Sequence, residues 1–124
     1  MQKVNLSEKL ASFSEHWKPK IAGDLNGQQV KLVKFLGAFV WHHHDDEDEL
    51  FLVVDGSFRM DYRDGEGQEQ AIDLHAGEFL IVPRGVEHRP VADEEVHVML
   101  FEPATTLNTG NTRGALTVDK LERL

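Results

Sequence analysis

The chain has 124 residues, 13 basic and 22 acidic side chains, a net charge of -9 and no cysteine. The missing thiols exclude disulfides and thiolate metal sites, so any metal must rest on His, Asp or Glu. The acidic balance repels phosphates and argues against nucleic acid or an anionic membrane as partner, and no apolar run approaches the roughly 20 residues that span a bilayer.

In chain order, Leu6, Leu10, Phe13 and Trp17 recur at helical spacing. They predict a helix over 5–18, capped by Asn5 or Ser7, limited by Pro19 and laid across the outside of a sheet. Met1–Lys20 has no continuous apolar core of the kind a secretory signal needs, so the cytoplasm is the expected location. After Pro19 the pattern shortens. Asn26-Gly27 is a hairpin signal between strands Lys20–Leu25 and Gln28–Leu36. Further strands are predicted at Ala38–His44, Leu50–Val54 and Phe58–Tyr62, then at Ala71–Leu74, Phe79–Val82 and Val96–Phe101, with glycine or proline turns between them. Many short strands with turn signals and no internal repeat make an all-β barrel or sandwich in one domain, 1–124. The strand core runs over about 19–102. In the tail, 103–124, Val118, Leu121 and Leu124 form a short apolar face that would dock on the barrel or on a partner.

The histidines carry the chemistry. Side chains alternate sides along a strand, so His42 and His44 share one face and His43 takes the other. Two imidazoles at i, i+2 can converge on one ion at bonds of about 2.0–2.1 Å. Glu49 follows a short acidic turn and can face the same interior, and His88 arrives after the turn Pro83-Arg84-Gly85. Asp45, Asp46, Glu47 and Asp48 read as a solvated turn, although Glu47 or Asp48 stands as an alternative fourth ligand. His16, His75 and His97 stand alone and read as surface or satisfied core residues, with His97 the one that could line a cavity.

These residues resemble the two motifs of the cupin superfamily. His42, His44, Glu49 and Gly56 fit the first, with four residues between His44 and Glu49 and six between Glu49 and Gly56. Gly37 stands four residues before His42, where the family pattern has five. Gly77, Pro83, Gly85 and His88 fit the second motif without a gap, and Ala92 replaces its final Asn. The resemblance spans Gly37 to Ala92. It implies an antiparallel double-stranded β-helix, the jelly-roll barrel, preceded here by the short N-terminal helix. It also implies His42, His44, Glu49 and His88 as ligands of one divalent transition-metal ion (Fe, Mn, Ni, Zn or Co), with no further cofactor.

Three His and one Glu leave two octahedral positions open for O₂, water or a chelating substrate. The expectation is a metal-dependent enzyme such as a dioxygenase, or else an isomerase or lyase, acting on a small molecule; its catalytic residues are unassigned. The alternative is a non-catalytic module that binds a small ligand, such as a sugar, through the same metal. Candidate cavity walls are Phe35, Phe39, Phe51, Val53, Met60, Phe79, Ile81 and Phe101, of which strand parity turns about half outward. Arg59, Tyr62 and Arg89 are candidate polar contacts, with the surface as their ordinary place. Apolar faces before and after the barrel, together with edge strands, lead us to expect a homodimer.

Overall fold

The computed structural model describes all 124 residues. One helix, α1 (Leu6–Ala11), precedes seven strands: β1 (Lys20–Leu25), β2 (Gln28–Ala38), β3 (Glu49–Asp55), β4 (Ser57–Arg63), β5 (Glu69–His75), β6 (Phe79–Val82) and β7 (His88–Pro103). Every strand pairing is antiparallel. No helix is long and apolar enough to cross a membrane.

The 16-residue β7 organises the barrel. Its second half runs between β2 and β3, with Leu100 opposite Lys31 on one side and Phe51 on the other. Its first half pairs with β4, placing His88 opposite Tyr62, and β5 pairs with the far edge of β4. The larger face therefore has the order β1-β2-β7-β3-β6 and the smaller is built from β5, β4 and the start of β7. This is the jelly roll that the motif resemblance implies, and a form of the barrel or sandwich expected from the alternation pattern. Val33, Phe35, Phe51, Val53, Phe58, Met60, Val96, Val98 and Leu100 form one buried apolar cluster between the faces. Phe58 meets Phe35 edge-on at 5.4 Å. Each such side chain contributes about 1.5–3 kcal/mol on burial.

Three expectations are corrected. The predicted helix over 5–18 is confined to Leu6–Ala11. Asn5 caps it, accepting from Glu8 N at 3.0 Å. It stops at Ser12, whose hydroxyl donates to the Lys9 carbonyl at 2.6 Å, a local bond that competes with continuation of the helix. Leu10 is buried and α1 contacts β2 as expected, but Trp17 lies beyond the helix with φ 62°. Its backbone N–H donates to Lys34 O and its indole Nε1 to Leu36 O, both at 2.9 Å. Its ring stacks on Phe35 and Phe39 with centroids 4.5 and 4.7 Å apart. The helical spacing of Trp17 is thus produced by a side chain turned inward over the barrel mouth.

The predicted strand Ala38–His44 is absent. β2 continues to Ala38, and 39–48 is irregular apart from a single bridge between His42 and His88. Gly37, at φ 84°, marks a register break in the β2–β7 ladder, which resumes as Gly37 opposite Ala92 and ends at Ala38. Among the proposed cavity walls, Phe79 and Ile81 are exposed at 60% and 55%, and Phe101 is half-buried on the opposite parity of β7 from Leu100. β6 is an edge strand with one partner, so its outer face meets solvent. Arg59 and Arg89 also lie outside the cavity, clamping Asp61 at 2.6 and 2.9 Å, and Tyr62 borders a surface groove with Met60 and Leu80.

The tail docks on the barrel itself. Ile21 N donates to Glu122 O at 2.8 Å and Leu124 N to Ile21 O at 2.9 Å, covering the free edge of β1. Gly110 packs so closely on the backbone before His44 that an added Cβ would collide with the His43 carbonyl.

Candidate metal centre

His42 and His88, far apart in the chain, are joined by a reciprocal backbone pair: His42 N donates to His88 O at 3.1 Å and His88 N to His42 O at 2.8 Å. Each imidazole then turns back on its own chain. His42 Nδ1 donates to Val40 O at 2.9 Å and His88 Nδ1 to Val86 O at 2.8 Å. A carbonyl can only accept, so both rings carry their proton on Nδ1 and present a bare Nε2 inward. His44 is held through its carbonyl, which accepts from Gly85 N at 2.7 Å. The turn Pro83-Arg84-Gly85 is locked in place by Asp48, which accepts from Arg84 N at 2.8 Å. Glu49 opens β3 on the inward side, opposite Val82 of β6.

All four residues are buried, and one ligand atom from each lies within 4.8 Å of the others. Glu49 Oε1 is 2.8 Å from His44 Nε2 and 3.2 Å from His88 Nε2. Cis ligands on an octahedral ion with bonds of about 2.1 Å stand about 3.0 Å apart. His44 Nε2, His88 Nε2 and Glu49 Oε1 have no hydrogen-bond partner, and buried polar atoms without one are rare enough to need an explanation. The donor set, spacing and orphaned atoms fit a divalent transition metal. Of the acidic alternatives, Glu47 reaches only 4.0 Å from His44 Nδ1 and Asp48 serves Arg84, so Glu49 is the acid brought into the cluster. His43 faces outward to Asp45, His16 and His97 flank Glu95 on the surface, and His75 is exposed.

Electrostatics prepares the donors. Burial, with the neighbouring His88 second, pushes His42 down to about 3, so its ring is neutral and able to bind metal at pH 7. Burial alone would raise Glu49, but the imidazoles of His44 and His88 that face its carboxylate, with Glu102 after them, hold it well below the usual carboxylate range. Glu102 moves the opposite way, raised by burial and by the charge of Glu49. Beside His42, Glu49 and Glu102 lies a cavity of about 30 Å³, walled by Trp17, Phe35, Phe39 and Phe51. That is room for one or two waters, so a larger ligand enters only when lining side chains move.

Lys31 and Glu102 were not singled out from the sequence. The signal available was parity: each is a charged residue on a strand whose other inward positions, Val33 and Phe35 or Val96, Val98 and Leu100, are apolar.

A jelly-roll barrel with a buried three-His, one-Glu cluster at one end defines the class. The cupin-domain family model matches residues 33–102, and the chain belongs to that family. It is 38% identical over 84 residues to the uncharacterized protein YdbB of Bacillus subtilis, covering 68% of this chain and 65% of that one. It is 30% identical over 105 residues to an acireductone dioxygenase of Yarrowia lipolytica, covering 82% of this chain and 61% of the relative. The chain therefore spans less than two-thirds of the length of these curated relatives. A crystal structure of a cupin-2 domain containing protein from Shewanella frigidimarina superposes with TM-score 0.75 at 44% identity, covering 81% of this chain and 93% of that one. Hydroquinone 1,2-dioxygenase from Sphingomonas superposes with TM-score 0.74 at 19% identity over 84% of this chain and 33% of that one, a likeness of fold.

Proposed function

We propose that this chain is one cupin domain that binds a single divalent transition metal through His42, His44, Glu49 and His88 and acts as a dioxygenase-type enzyme on a small hydroxylated molecule. The observation that carries the reading is the convergence of four buried donors, three of them with no other partner. Similarity to acireductone dioxygenases supports the reaction class. A bound metal would supply Lewis acidity and a template for O₂. The protein's part is to keep His42 neutral, to fix the His42 and His88 tautomers through the Val40 and Val86 carbonyls, and to exclude water with Trp17 and the phenylalanines.

Anaerobic loading with Fe(II), followed by oxygen uptake across enediol, hydroquinone, catechol and diketone substrates, tests the reading. Uptake with at least one class is expected. A small molecule that raises the melting temperature of the metal-loaded protein with no turnover would instead identify a ligand-binding module. The cysteine-free composition suits a cytoplasmic setting. We further propose a homodimer across β5 and β6, whose outer edges are unpaired and whose Ile72, Phe79 and Ile81 are exposed. Light scattering at twice the monomer mass is expected, and a monomer at micromolar concentration would remove the dimer.

A further inference from the structure

The inward face of the barrel is apolar except at its metal-binding end, where a charged row crosses three adjacent strands: Lys31 on β2, Glu102 on β7 and Glu49 on β3. We propose that Glu102 is a positioning residue for Glu49, fixing that carboxylate toward the metal while Lys31 holds Glu102 in place.

Three observations carry this. First, Lys31 and Glu102 are 1% and 2% exposed, and Lys31 Nζ donates to Glu102 Oε1 at 2.8 Å. A lone buried ion pair adds little stability over an apolar pair of the same volume, so its presence in this core calls for another role. Second, Lys31 engages only one oxygen. Glu102 Oε2 is buried and takes no hydrogen bond from any donor, and Glu102 and Glu49 line the same cavity. Third, the register leaves no freedom in this arrangement. Leu50 faces Phe101 across β3 and β7, so one step further places Glu49 beside Glu102, and both line the cavity that also touches His42. Glu49 Oε1 lies 2.8 Å from His44 Nε2 and 3.2 Å from His88 Nε2, so a fixed neighbour on the next strand limits the rotation of its carboxyl. Outer contacts of this kind orient metal ligands, and their loss costs about 10–100-fold in metal affinity.

The inference rests on the metal reading of the four-residue cluster, and the test separates the two. Co(II) is titrated into the full chain by competition with a chromophoric chelator and its visible spectrum recorded, alongside the melting temperature of the metal-free protein. Failure of the unaltered protein to take up Co(II) removes the metal reading itself. Given uptake, Lys31→Met with Glu102→Leu replaces the pair by apolar side chains. The expected result is a melting temperature close to that of the unaltered protein, Co(II) affinity about 10–100-fold weaker and a shifted ligand-field band. Glu102→Gln keeps the shape, an acceptor for Lys31 and a polar group beside Glu49, and is expected to recover most of the affinity while still moving the band. Unaltered affinity and spectrum in the double variant would overturn the proposal and leave the pair a structural one. Should the double variant fail to fold, Glu102→Gln decides alone: a shifted band supports the proposal, and a spectrum superposable on that of the unaltered protein overturns it.

Discussion

The two ends of the barrel interior are built on the same strands with the same parity, yet they hold opposite chemistry. Along β3, Phe51 and Val53 fill one end while Glu49 serves the other, and along β7, Val96, Val98 and Leu100 give way to Glu102. One end gains free energy from burial. The other spends it, desolvating three imidazoles, two carboxyls and an ammonium and leaving several of their atoms without partners. A ligand cluster of this kind is tolerable because the apolar end, and the backbone pair between His42 and His88, hold it in place.

The sharpest way to break this division is from the apolar end. Phe58→Ala should lower the unfolding free energy by about 3–5 kcal/mol in urea titrations, while the protein that stays folded still binds one equivalent of metal by elemental analysis. Loss of metal at that site would mean that the two ends are not separable. His88→Ala is the converse. It should abolish metal uptake and with it the metal-dependent stabilisation, about 2.7–4.1 kcal/mol at metal concentrations 100–1,000 times Kd, with the fold retained by circular dichroism. A wild-type metal content in this variant would show that the ion sits elsewhere. The smallest effect lies outside both ends. Arg59 first, then Arg89, hold Asp61 below its ordinary value despite burial. A carboxyl depressed on folding stabilises the protein above its unfolded value and loses that contribution as pH falls through the folded one. Asp61→Asn should therefore cost about 0.2–1 kcal/mol at neutral pH and flatten the fall in stability below about pH 4, as read from urea midpoints at a series of pH values.

Much of this was legible in the sequence because it depends on period-two alternation and turn chemistry. Most of the strands and the antiparallel barrel follow from those signals, and the motif resemblance brought forward His42, His44, Glu49 and His88, which the structure draws into one buried cluster. What was not legible depends on long-range placement. Trp17 has the spacing of a helix face but takes a left-handed backbone and enters the barrel. His42 and His44 share a side without lying on a regular strand, because their backbone is held by His88 and Gly85 rather than by a neighbour in a ladder. The pattern of β6 shows which residues alternate but not that this strand is an edge, so Phe79 and Ile81 could not be assigned outward. Lys31 and Glu102 lie 71 positions apart and meet only once β2 and β7 are paired.

Trp17 has a consequence for how such a protein diversifies. It closes the metal-side cavity from a segment that precedes β1 and belongs to no ladder, so its position is set by two hydrogen bonds and two stacked rings rather than by sheet register. A substitution or a short insertion between α1 and β1 would resize the chamber beside His42 and Glu49 without altering the strands and turns that hold the four-residue cluster. The size of that chamber and the four-residue cluster are thus carried by different stretches of the chain, so the first can change while the second is kept.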